Sequence, residues 1–247
     1  MESNVKSCIL TAHNGKGWYP SGQKRLINSL VHHGNSHDVV AVTCLPMGMG
    51  WEVIATINGA ESHKKFYPQY LNNCVYTLKA AAFQYVKDLG YDTILWLDCS
   101  VWAISDIEPV FDQIASDGYY FWQSGFSVLN VTSKSCLQYF GISDRAAMIA
   151  DDCSTSMFGL KLSNPNASTF LDDWLQAAKD KQFHGSRDEI PGRGMDQQKF
   201  EHRQDQAVAS CLIHTMGLTM TKPGIFSQYA NEKGDYPDSV CLVMRGK

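Results

Sequence analysis

The sequence has no apolar run of the roughly 18–20 residues that a membrane-spanning helix needs, no Cys-x-x-Cys pair and no excess of basic charge. The first absence removes a helical span. The N-terminus is polar through Lys6, and the apolar run that follows, Cys8–Ala12, is too short for the core of a secretory leader, so a cytoplasmic protein is expected. Without paired cysteines the eight Cys do not read as a thiolate zinc site. In a reducing compartment they are expected as buried thiols. With 21 Lys and Arg against 25 Asp and Glu, the net charge of −4 gives no support for a partner held through its phosphate backbone. Also missing are a GxxxxGK[ST] phosphate loop, a GxGxxG turn after a strand, a GxSxG elbow and an HExxH pair. Their absence sets aside P-loop enzymes, dinucleotide dehydrogenases, serine hydrolases of the elbow type and zinc proteases of that motif.

What is present is an ordinary globular balance, 44% hydrophobic and 19% charged over 247 residues, with enough chain to bury the core of one α/β domain spanning 1–247. Residues 8–12, 39–43 and 93–97 are short apolar runs of the kind buried on both faces of a sheet. Residues 22–33 and 77–89 carry apolar side chains at helical spacing and end at Gly34 and Gly90. Strand alternating with helix implies a Rossmann-like, mostly parallel central sheet with helices on both faces.

Further along, Ser105-Asp-Ile-Glu108 has the form of a capping box opening a helix, and 119–122 and 157–162 read as strands. Asn166 or Ser168 is expected to cap a helix facing inward through Phe170, Leu171 and Trp174. Residues 46–75 read as a loop or an edge hairpin, and the tail from Tyr229 as turns. Residues 183–201, polar and rich in glycine, read as a lid whose His184, Arg187 and Arg193 reach a phosphate or an acceptor.

Ligands of such sheets bind beyond the carboxyl ends of the strands, which selects residues 11–17 and 98–102. In the second loop Asp98 and Ser100 point to the same side. They either hold a hard divalent cation or simply cap the turn. Asp205 opens a helix over 205–216, where a carboxylate is favoured by the helix dipole alone. Asp151-Asp152 precedes a strand, where adjacent carboxylates are ordinarily solvated.

The segment from Tyr76-Thr-Leu-Lys79 through Trp96-Leu-Asp98-Cys-Ser100 to Ile107-Glu-Pro-Val-Phe111 resembles the central part of GT-A-fold glycosyltransferases. There a Lys-bearing helix precedes a strand ending in Asp-x-Asp. Here the second Asp is Ser100. His202-Arg-Gln-Asp205-Gln206 resembles the His-Arg-x-Asp-Gln stretch of small bacterial and phage glycosyltransferase-like proteins. The resemblance implies transfer of a sugar from a nucleotide sugar, UDP-sugar first, to an acceptor hydroxyl. It implies that Thr11 and His13 contact the nucleoside, that Lys79, Asp98 and Ser100 contact the diphosphate, and that Arg203 contacts the phosphate or the sugar. Mg2+ or Mn2+ would be held by Asp98, Ser100 and His202. Asp205 would be the general base, with Asp152 its substitute and His202 beside them. The acceptor stays open among glycan, lipid, protein, small molecule and a hydroxymethylated base of phage-type DNA, the last favoured by locally basic loops at Lys64-Lys65 and 184–203. A catalytically weak sugar-nucleotide or glycan binder and a nucleotidyltransferase are the alternatives.

Overall fold

Buried alternation in two neighbouring strands decides the architecture. In the computed structural model, which describes residues 6–13, 15, 17–47, 50–57, 60–64, 76–184 and 202–245 (the backbone alone for those between 44 and 64), Ser7–His13 forms β1 and Thr93–Leu97 forms β5. Cys8, Leu10 and Ala12 of β1 and Ile94 and Trp96 of β5 enter one core; Ile9, Leu95 and Leu97 enter the other. Both faces of the sheet must therefore be covered. The first core is closed by α2 (Thr77–Asp88), α7 (Pro165–Lys179) and α8 (Gln204–Thr215), and the second by α1 (Tyr19–His32) and α3 (Glu108–Asp117).

The remaining main-sheet strands are β2 (Asp38–Met47), β3 (Gly50–Ile57), β4 (Ala60–Lys64), β7 (Tyr119–Ser127) and β8 (Asp151–Lys161). Their order is β4-β3-β2-β1-β5-β8-β7. The centre, β2-β1-β5, is parallel, in register from Cys8 opposite Asp38 and from Ser7 opposite Thr93. β4 and β7 run the same way as this centre, while β3 and β8 are antiparallel to their neighbours. The α/β sheet with helices on both faces is thus as expected, and the stretch 46–75 contains the edge hairpin β3–β4. Short helices α4 (Val128–Val131), α5 (Lys134–Tyr139) and α6 (Asp144–Ile149) lie between β7 and β8.

Several local expectations are corrected. β7 and β8 are longer than 119–122 and 157–162, because register shifts after Phe121 and Gln123 interrupt the two-residue alternation by which a strand is read. The Ser105–Glu108 capping box does not form. Ile107 is the cap of α3, and the Asp106 carboxylate accepts the Glu108 N–H at 3.0 Å. α7 begins earlier than Asn166: Asn164 accepts from the backbone N–H groups of Asn166 and Ala167, and Pro165 presets the first turn. The tail is not merely turns. β9 (Ser227–Tyr229) and β10 (Leu242–Met244) join β6 (Val101–Ala103) in a second sheet of order β6-β10-β9, which returns the C-terminal segment to the loop after β5.

Cys8, Cys99, Cys136, Cys153, Cys211 and Cys241 are buried free thiols. Among the described residues no helix is long and apolar enough to cross a membrane. Arg187, Arg193 and most of the segment read as a lid, together with Lys65 of the basic loop, lie outside the described residues.

Gly22 of α1 sets how closely that helix approaches the loop after β5. A Cβ there would stand 2.4 Å from the Cys99 carbonyl oxygen and 2.7 Å from the Trp18 ring. Gly to Ala inside a helix ordinarily stabilises by about 0.5–1 kcal/mol. Here the contact is with backbone, so the sign reverses. Gly22→Ala is expected to lower stability by about 1–3 kcal/mol, read as a lower midpoint in urea unfolding.

Candidate active site

The carboxyl ends of β1 and β5 open into a cleft of about 450 Å³ lined by Ala12, His13, Trp18, Tyr19, Tyr76, Leu78, Lys79, Trp96, Asp98, Cys99 and Ser100. Each side of it is built differently. The pairing of β5 with β8 runs on through the Asp98 N–H, which donates to the Ser156 carbonyl (2.8 Å), and the chain then turns as the Val101 N–H returns to the Asp98 carbonyl (2.9 Å), leaving the Asp98 side chain at the cleft. The start of α1 supplies Trp18 and Tyr19, stacked with ring centroids 4.8 Å apart and both exposed. The start of α2 supplies exposed Tyr76 across from them. Large aromatic faces left in water beside a concave surface suit a planar base or the C–H face of a sugar.

Beneath the cleft lies a buried ion triad. The Lys79 ammonium sits 2.9 Å from Asp205 Oδ2 and 3.2 Å from Asp98 Oδ1, and donates to the Thr155 carbonyl at 2.9 Å. Burial alone would push this lysine toward neutrality; the two carboxylates reverse that and hold it charged, above its ordinary range. Asp205 also accepts from Thr155 Oγ1 at 2.7 Å, and Asp98 from the Trp96 indole N–H at 2.7 Å. Burial raises Asp205 while Lys79 and its hydrogen bonds pull it back down. The two carboxylates differ in access: side-chain exposure is 29% for Asp98 and 3% for Asp205. Asp98 meets the cleft, and Asp205 stands behind Lys79.

A second polar cluster is organised by the next residue of α8. Asp152 is fully buried and accepts from Ser124 Oγ, from Gln206 Nε2 at 2.6 Å and from Ser210 Oγ at 2.7 Å. Burial raises it to about 6 against those three donors and the Arg203 charge. Asp205 and Gln206, adjacent on α8, therefore serve the two clusters from one helical turn.

The sequence-selected residues divide accordingly. His13, Lys79, Asp98 and Ser100 share the cleft, with Asp205 joined to them through Lys79. His13 is neutral in character: burial lowers it, Nδ1 accepts the Gly15 N–H at 2.9 Å, and Nε2 faces Thr43 Oγ1 at 3.4 Å. Thr11 is fully buried beside Cys99 Sγ, behind the cleft wall. His202 is buried and engaged at both ring nitrogens, by the Ser133 N–H at 3.1 Å and the Gln182 carbonyl at 3.1 Å, which ties α5 to the end of α7. Arg203 lies over the Phe126 ring at 5.2 Å, on the side of the Asp152 cluster. Asp152, expected on a solvated loop, is an interior residue of β8 because Ser124, Gln206 and Ser210 replace its water. Sequence reading missed Trp18, Tyr19 and Tyr76; aromatic residues at the starts of two helices were the available signal.

The grouping of Asp98, Ser100 and His202 around Mg2+ or Mn2+ does not fit these residues. His202 is committed elsewhere, and Asp98 Oδ1 already receives Trp96 and Lys79. Between the two carboxylates, where a cation would be held, stands the Lys79 ammonium. Among the described residues no group of three or more His, Cys, Asp or Glu is placed to hold a metal ion. The same geometry corrects the reading of Lys79 as a diphosphate ligand: its hydrogens point to Asp98, Asp205 and Thr155.

Removing one member of a buried pair costs about 3–5 kcal/mol because the other charge stays in the interior. Lys79→Met is expected to lower unfolding free energy by about that amount, and Lys79→Met with Asp205→Asn by less than the sum of the two single changes. Urea unfolding of the four proteins of the cycle measures both. For Asp152, the raised value favours the protonated form in the fold. Its contribution is complete below the ordinary carboxylate value of 3.8 and is lost as pH rises through about 6. Asp152→Asn should flatten that part of the stability profile, seen as urea midpoints that no longer fall between about pH 4 and 6 relative to the parent.

No protein-family model matches the chain, and no curated protein sequence matches it. Among solved structures it is similar to the apo structure of the WbbM bifunctional glycosyltransferase, with a TM-score of 0.52 and 9% identity over 93% of this chain. The chain spans 40% of that protein's length, and at this identity the likeness is one of fold alone: a Rossmann-like α/β sheet with helices on both faces.

Proposed function

We propose that the cleft binds a nucleotide sugar and that the protein is a glycosyltransferase, with a UDP-sugar as the first donor to test. The observation that carries this reading is the meeting, at the ends of parallel strands β1 and β5, of an aromatic-walled cleft with one accessible carboxylate, Asp98. Such a position is where open α/β sheets take their ligands, and a volume of about 450 Å³ is of the size used for small-molecule recognition. The fold likeness to a glycosyltransferase supports the same reading. On it, Trp18, Tyr19 and Tyr76 hold the base or sugar by their faces, and the neutral His13 ring stands at the nucleoside end. Asp98 orients the sugar from the floor, its position held by Trp96 and Lys79. Asp205 acts through Lys79 as a positioning residue, because a base has to reach the proton it removes and Asp205 does not face the cleft. The acceptor is a hydroxyl compound; the net charge of −4 favours one other than DNA.

A second reading has its own observation. Both carboxylates first selected as bases, Asp205 and Asp152, are buried, which favours a protein that binds a sugar nucleotide and turns it over slowly or not at all.

A thermal-shift panel of UDP-, GDP-, CMP- and dTDP-sugars in EDTA, followed by assay of released nucleotide, tests both. One nucleotide class should raise the melting temperature, since a ligand at 100 times its Kd adds about 2.7 kcal/mol. Asp98→Asn should weaken that ligand roughly tenfold, a loss of about 1.4 kcal/mol. Nucleotide release over hours with simple hydroxyl acceptors marks a transferase, and binding without release marks the second reading. No shift with any member of the panel removes the nucleotide-sugar proposal.

A further inference from the structure

A nucleoside diphosphate brings two or more negative charges to a cleft whose floor sets two carboxylates, Asp98 and Asp205, against the single ammonium of Lys79. Among the described residues neither a fitting metal site nor an available lysine offsets this in the cleft. Two arginines stand at its rim instead. Arg25, exposed on α1, donates from Nη2 to the Ser100 carbonyl at 3.3 Å, and the backbone N–H of Arg245 reaches the same carbonyl at 3.0 Å. Pairing of β10 with β6, Met244 opposite Val101, brings Arg245 there. Each guanidinium is braced on a tryptophan: Arg25 over Trp102 at 4.1 Å and Arg245 by Trp18 at 5.9 Å. Ser100 and Trp18 both line the cleft.

Among the described residues neither arginine has a carboxylate within ion-pair distance. The two are also close enough to feel each other, since partial burial and then the Arg245 charge pull Arg25 below its ordinary value. Two like charges this close without a counter-ion repel, and an anion between them relieves that repulsion. Planar guanidiniums also match phosphate oxygens in pairs.

We infer that Arg25 and Arg245 form the pyrophosphate-binding pair of this protein, receiving the donor's diphosphate at the Ser100 end of the cleft without a divalent cation. This rests on the nucleotide-sugar reading for the identity of the donor, but the anion site is testable apart from it. It places the diphosphate beside Ser100, so the sugar extends inward over Asp98 and the base lies among the aromatic side chains.

The test is calorimetric titration of the full chain in EDTA with inorganic pyrophosphate and, separately, with UDP, GDP and dTDP. The parent protein is expected to bind pyrophosphate and one of the nucleotides, more weakly as KCl is raised. Arg25→Gln and Arg245→Gln should each weaken both ligands at least tenfold, and Lys24→Gln, on the same helix, should change neither. Should a Gln variant melt below the working temperature, Arg25→Lys and Arg245→Lys carry the test. They keep the charge without the planar fork, and a loss of at least threefold is expected. Parent-like affinity in the Arg variants, binding that appears only when Mn2+ is added, or no binding of pyrophosphate by the parent overturns the inference. Arginine-dependent binding of pyrophosphate with no nucleotide bound would leave the anion pair standing and remove the nucleotide-sugar reading.

Discussion

The Lys79 ammonium, held between Asp98 and Asp205, is the interaction on which the site depends. It joins the helix before β5 to the end of β5, to the first turn of α8 and, through Thr155, to β8. A charge at that depth is tolerable only because it is paired on both sides. The consequence runs outward: Asp98 cannot leave the cleft floor without breaking a buried contact, and α8 cannot slide without exposing Asp205. The triad also has the geometry of a cation site in which the cation is part of the chain.

That arrangement explains the rest of the cleft's chemistry. With the interior lysine engaged between carboxylates, the basic groups near Ser100 come from the surface, where the second sheet brings β10, and with it Arg245, against the loop after β5. Aromatic side chains and one carboxylate line the cleft, and Arg25 stands against the carbonyl of its lining residue Ser100. Adjacent residues of α8 couple the triad to the Asp152 cluster, so the interior polar groups form one supporting frame behind the cleft rather than a row of reactive groups within it.

Part of this was legible beforehand and part was not. The three apolar runs at 8–12, 39–43 and 93–97 became the parallel centre of the sheet because β-branched and aliphatic runs of that length have few other stable settings. Asp98 was found for the same reason, as the first polar residue after a buried strand. β7 was read too short because bulges destroy alternation, and the capping of α3 was misassigned because Asp106 competes with Ser105 for the same helix end. Asp152 was misread because solvation of a carboxylate is settled by what folds over it, and Ser124, Gln206 and Ser210 are 28 to 58 residues away.

Local pattern thus determined the α/β class, the helix-covered sheet and the loop that carries Asp98, since hydrophobic periodicity and turn residues act over a few positions. Which charges neutralise one another was decided only in three dimensions. Lys79 meets Asp205 across 126 positions of sequence, His202 is taken by backbone groups instead of a metal, and Arg245 arrives at Ser100 because β10 adds to β6. Electrostatic pairing depends on distance and on the exclusion of water, and neither is written in the spacing of residues along the chain.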